Sequence, residues 1–150
     1  HPVDRRQRQM CIRDSLYIAY SPQLSENTEI FHNDIQGRFA RGEPDIIDAM
    51  EEWAGLAQQC RELLSQDKGQ EIGPLLDRNF DLRKSIYHIS QGNLAMIEAA
   101  RAAGASAKFT GSGGAIVGVY DGEAMFERIL SKLTPLGVKV LKPIITPQAF

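Results

Sequence analysis

At 150 residues, 43% of them hydrophobic and 24% charged, the chain is long and apolar enough for one globular domain with a real core. A net charge of -2 at pH 7, with aromatic residues at only 7% and not interleaved with basic ones, supplies no field for wrapping nucleic acid, which is not an expected partner. No apolar run nears the roughly 20 residues that span a bilayer, and the amino end has no apolar signal-peptide core, so a soluble, cytoplasmic chain with no membrane contact is expected.

The opening segment, His1 to Ser15, holds the polar, basic run Asp4-Arg5-Arg6-Gln7-Arg8-Gln9 and meets the apolar Leu16-Tyr17-Ile18-Ala19-Tyr20 abruptly. Two readings of it stay open. One is a solvated, disordered tail. The other is a stretch foreign to the gene, because Met10-Cys11-Ile12-Arg13-Asp14-Ser15 matches the translation of a transposon end used to fragment DNA for sequencing. Either way, residues 1–15 are set apart from a domain over 16–150. Cys11 and Cys60 form no CxxC or Cys/His cluster, so two reduced thiols and no zinc site are expected.

Leu16 to Tyr20 reads as a strand ended by Pro22, and Ser25 to Thr28 as a loop. A helix follows over about 31–41, with Ile35 and Phe39 on one face, His32 near its start and Gly42 as its stop. Pro44 suits a first helical turn, with Asp45 and Asp48 at the positive end of the dipole. From there Ile46, Ala49, Trp53, Leu56, Cys60 and Leu63 recur by three and four, beside a second stripe of Ile47, Met50, Ala54, Ala57 and Leu64. This long helix is expected to bury a wide face, with Trp53 and Met50 as core residues.

Lys68-Gly69-Gln70 breaks the chain before a third helix from Ile72 to about Tyr87, whose polar face carries Asp77, Asn79, Asp81, Arg83 and Lys84. A fourth runs over about 93–103, with Asn93 as a cap and Gly104 as terminator. A fifth covers about 123–133, and Val138 to Leu141 forms a last strand. The order strand, four helices, hairpin, helix, strand defines an α+β fold, an antiparallel sheet backed by helices.

The hairpin lies in Ala107-Lys108-Phe109-Thr110-Gly111-Ser112-Gly113-Gly114-Ala115-Ile116-Val117-Gly118-Val119-Tyr120. Its glycine tip permits positive φ and close backbone approach, and successive N–H groups, the Thr110 and Ser112 hydroxyls and Lys108 are chemistry suited to an anion. The spacing fits neither a P-loop nor a dinucleotide fingerprint, because a strand rather than a helix comes next. From these residues alone, a plain structural hairpin and a phosphate-facing tip both stay open.

In its context of helix, Ala-Gly-Ala-Ser-Ala-Lys-Phe-Thr-Gly-Ser-Gly-Gly-Ala, strand, helix and strand, this stretch resembles the third signature motif of the GHMP kinases, a superfamily of small-molecule kinases. Together with Asn79-Phe80-Asp81-Leu82-Arg83-Lys84 and, more loosely, His32 and Arg38, it is similar to the branch that phosphorylates glucuronate. The resemblance implies the superfamily's carboxyl-terminal domain over 16–150. It implies an ATP-dependent sugar kinase that, when complete, phosphorylates glucuronate at its anomeric hydroxyl. Another superfamily kinase, such as one acting on a heptose phosphate, and a non-catalytic α+β binding domain are the alternatives.

The superfamily's Gly-Leu-Ser-Ser-Ser phosphate loop does not occur in these residues. The resemblance therefore implies that ATP and Mg2+ are bound mainly by an amino-terminal kinase domain absent from this chain, which alone is expected to be inactive. It places Lys108, Thr110, Gly111, Ser112, Gly113 and Gly114 against substrate and phosphate, and gives Arg83 the sugar carboxylate, which a guanidinium holds through two parallel hydrogen bonds. No catalytic or metal residue is expected here.

Overall fold

Tyr17 and Ala19 alternate inward along the first strand, β1 (Leu16–Tyr20), and both are fully buried because β1 is flanked on each side by another strand. The computed structural model describes residues 15–24 and 28–146, excluding the side chains of 28–33. Within them, β1 is followed by helices α1 (Thr28–Ala40), α2 (Pro44–Ser65), α3 (Gly73–Ile86) and α4 (Gln91–Ala102). Strands β2 (Lys108–Phe109) and β3 (Ala115–Val119), helix α5 (Gly122–Leu133) and strand β4 (Lys139–Leu141) complete the order.

The sheet runs β2-β3-β1-β4 with every pairing antiparallel. Leu16 faces Val119 and Tyr20 faces Ala115, which brings the end of β1 against the start of β3. The α+β architecture expected from the sequence is the one found. Tyr17, Ala19, Phe109, Ile116 and Tyr120 share the main core with Phe80, Met96, Ile97, Phe126, Ile129 and Leu133, so α3, α4 and α5 back the sheet. Phe80 meets Phe109 edge to face, with centroids 5.3 Å apart, and ties α3 to β2.

Three local expectations change. Helix α3 begins at Gly73 rather than Ile72, after a 3-10 turn at Gly69–Ile72; Pro74 has no N–H to return to a preceding turn and so opens a helix instead of continuing one. Ser90, not Asn93, caps α4, its hydroxyl accepting the Asn93 N–H. The long helix α2 buries a narrower face than its pattern offers: Ile46, Ala49 and Leu56 are buried, Met50 and Trp53 are half-buried, and Ala54, Ala57 and Leu64 are exposed. The reason is length, since only one side of a 22-residue helix finds neighbours in α1, α3 and the turn before α3.

Residues 1–14 and the His32 side chain, on which sequence expectations also fall, lie outside the described residues. Ser15 accepts the Tyr120 N–H at 2.8 Å, so strand-like pairing extends one residue before β1. No helix among the described residues is long and apolar enough to cross a membrane.

Candidate functional site

The tip between β2 and β3 is a turn whose geometry only glycine meets cheaply at two places. Gly113 has φ +144 and Gly114 φ +79, a region that L side chains rarely occupy. Thr110 donates its N–H to Ala115 O at 3.1 Å and closes the hairpin. Gly111 differs: a Cβ there would meet nothing within 4 Å, so no part of this domain demands glycine at that point.

Each end of the tip is held from a different element. Gly114 donates its N–H to Asn93 Oδ1 at 2.8 Å and accepts the Ser21 N–H at 2.8 Å, which locks it between α4 and the end of β1. Asn93 is fully buried, and its amide donates to Ser90 Oγ at 2.9 Å, so the capping residue of α4 also fixes the orientation of the tip's anchor. A Cβ on Gly113 would lie 3.4 Å from both polar atoms of the Asn93 amide.

At the other end, Arg83 reaches across from α3. Its Nη1 donates to Gly111 O at 2.7 Å and its Nη2 to Ser112 O at 2.9 Å. The guanidinium is stacked over Phe109, 4.9 Å from the ring centroid, and over Tyr87, 5.2 Å away and one helical turn further along. The fork expected to face a sugar carboxylate is thus engaged on two main-chain carbonyls. Lys84, its neighbour, is exposed.

Lys108 is half-buried beside this arrangement and donates from Nζ to Phe109 O at 2.8 Å. Burial, and then the nearby charge of Arg83, hold its pKa below the usual lysine value. The structure therefore gathers Lys108, Arg83 and the tip residues Thr110 to Gly114 on one edge of the sheet. Arg38 is elsewhere, bridging Glu43 at 3.0 Å and Asp45 at 2.5 Å where α1 gives way to α2. The acidic residues of α3 are also occupied structurally: Arg101 pairs with Asp77 and Asp81, and Asp77 Oδ1 accepts the Ala107 N–H at 2.9 Å.

Asn93 is the residue that sequence reasoning missed, because its pattern reads as a helix cap and nothing in the order of residues shows that a strand turn lands on it. Among the described residues, no group of three or more His, Cys, Asp or Glu side chains is placed to hold a metal. Cys60 is a free thiol, its pKa raised by burial.

The fold is shared with solved kinases. A mevalonate kinase from L. major, solved in complex with R-mevalonate, superposes with a TM-score of 0.74 at 19% identity, over 86% of this chain and 43% of that one. A mevalonate kinase from Staphylococcus aureus gives 0.62 at 12% identity, over 86% and 42%. At such identities the likeness defines the fold alone, one shared with less than half of each of these kinases. In sequence the chain is similar to glucuronokinases: 38% identical over 105 residues to probable glucuronokinase 2 of Arabidopsis thaliana and 33% identical over 105 residues to glucuronokinase 1 of the same plant. Each match covers 68% of this chain but only 28% and 29% of those relatives. No protein-family model matches the chain. The chain thus shares the fold of part of these solved kinases and is similar in sequence to the glucuronokinases, of whose length it spans less than a third.

Proposed function

We propose that the chain is the carboxyl-terminal part of an ATP-dependent sugar kinase that phosphorylates glucuronate at its anomeric hydroxyl. The observation that carries this reading is the 38% identity to a probable glucuronokinase over 105 residues. Phosphoryl transfer asks a protein chiefly to hold phosphates, align the acceptor hydroxyl and neutralise charge. The tip has the means for the first and last of these: main-chain N–H groups, the Thr110 and Ser112 hydroxyls, and the Lys108 ammonium. Gly111 adds no side chain beside an approaching phosphate, and Gly113 and Gly114 supply the positive φ that the turn needs.

In this reading Mg-ATP supplies the γ-phosphoryl group and its electrophilic phosphorus. Its other contacts, including the magnesium ligands and the phosphate loop, belong to an amino-terminal domain beyond this sequence. Arg83 serves the site from behind, with its fork on Gly111 O and Ser112 O, and the geometry favours this over a direct grip on the uronate carboxylate.

The test joins gene and enzyme. The reading frame upstream of Leu16 in intact genomic DNA is expected to encode a Gly-Leu-Ser-Ser-Ser-type loop, and its full-length product to convert glucuronate and ATP to glucuronate 1-phosphate and ADP. The 150-residue chain alone is expected to show no turnover. A full-length product with no activity on glucuronate, or turnover by the 150-residue chain alone, would overturn the assignment.

A further inference from the structure

We infer that Arg83 and Asn93 are positioning residues that turn the glycine tip into a preformed anion cradle, the one acting on its carbonyls and the other on its last N–H. The inference rests on the reading of the tip as phosphate-facing and adds what holds it in that state. All peptide bonds described here are trans, so within each peptide unit the C=O and the following N–H point in opposite directions. Arg83 draws Gly111 O and Ser112 O onto one guanidinium. The N–H groups of Ser112 and Gly113, which belong to those same two peptide units, are therefore both turned to the side away from Arg83. Two successive N–H groups on one side of a turn form the kind of concavity that binds a phosphate oxygen.

Asn93 fixes where that pair ends. By accepting the Gly114 N–H at 2.8 Å, it takes the third N–H inward and leaves the pair at 112 and 113 as the outward-facing set. Its own orientation is set by Ser90 and its side chain is fully buried, so the anchor does not swing. Arg83 is likewise held by its stack on Phe109 and Tyr87. A tip rich in glycine has many accessible conformations, and restraining it before the ligand arrives removes an ordering cost from binding. Lysine cannot substitute at position 83, because a single ammonium does not present the planar fork that spans two carbonyls.

The experiment uses the 150-residue chain, labelled with nitrogen-15, as wild type, Arg83→Met, Arg83→Lys and Asn93→Ala, with inorganic phosphate as the probe. Amide order parameters at Ser112 and Gly113 are expected near the rigid value of about 0.85 in the wild type and below about 0.6 in both Arg83 variants. Exchange protection at Ile97 and Ile116, in the core, should be unchanged in those two. Asn93→Ala should loosen Gly114 and Gly113 first. Phosphate should shift the Ser112 and Gly113 amides of the wild type, with Kd raised by roughly tenfold or more in each variant, as lost preorganisation of a charge-binding pair implies. A tip that stays rigid in both Arg83 variants overturns the inference, and so does a loosened tip that binds phosphate as well as before. A wild type that does not bind phosphate, with the tip still loosened by the variants, removes the phosphate reading while the holding role of Arg83 stands.

Discussion

Tyr17 donates its hydroxyl to the carbonyl of Ser106 at 2.6 Å, inside the core and across 89 residues of sequence. Burial, and then the Asp77 carboxylate, push its phenol pKa up, so it remains a donor throughout the neutral and mildly alkaline range. Tyr17→Phe leaves that carbonyl buried without its hydroxyl partner, and the expected loss is roughly 1–3 kcal/mol of stability. Urea unfolding of the two proteins checks it; equal midpoints would mean that water replaces the phenol.

The same carbonyl limits β3 from the other side. A Cβ on Gly118 would stand 1.8 Å from Ser106 O and 2.7 Å from Tyr17 Cε1, and the first of these is backbone that cannot rotate aside. Gly118→Ala should cost about 3 kcal/mol or more, at or beyond the upper end for overpacked cores. Gly111→Ala is the control. With open space around that position, it should change stability by less than about 0.5 kcal/mol. Thermal unfolding of the pair decides between steric and conformational accounts of the glycines.

Much of this was legible in the residues themselves, and the exceptions share a cause. Strand LYIAY, the α2 pattern from Pro44 and the glycine turn announce themselves through local period and turn chemistry, which depend on neighbours in sequence. What the sequence could not show is where separate elements meet. Trp53 fits an apolar stripe yet is half-buried: it packs against the cluster of Ala49, Leu56 and Leu82 and donates its indole N–H to Asn79 O of α3 at 3.2 Å, while the rest of the ring stays open. Asn93 reads as a cap until the β2–β3 turn is seen to land on it. That the fork of Arg83 reaches the tip's carbonyls, 28 and 29 residues away, is likewise invisible in the order of residues.

Lys108 gives the domain a pH signature. Burial lowers its folded-state pKa below the unfolded 10.5, so between those two values the unfolded chain binds more protons than the folded one and stability rises with pH. At neutral pH the lysine is charged in both states and its desolvation cost is fully present. Lys108→Met should therefore be more stable than wild type at pH 7, with the gap closing as pH rises toward 10.5. Unfolding midpoints measured across that range check it, and a gap that widens with pH would mean that the ammonium stabilises the fold. The same substitution should weaken phosphate binding, since the charge that costs stability is the one offered to the anion.

Kinetics in a full-length enzyme separate the two roles open to Arg83. Were its guanidinium to hold the uronate carboxylate, Arg83→Lys would lower kcat/KM for glucuronate and spare neutral sugars, because only the carboxylate loses its bidentate partner. With the fork engaged on Gly111 O and Ser112 O, the outcome expected is different. A loosened tip handles every phosphoryl transfer less well, so kcat/KM should fall for glucuronate and galactose alike, by roughly tenfold, about 1.4 kcal/mol of transition-state stabilisation. The loss should appear in kcat more than in sugar KM, because the tip is proposed to act on the phosphate and not on the ring. A decline confined to glucuronate would return Arg83 to the carboxylate and leave Asn93 alone to order the tip.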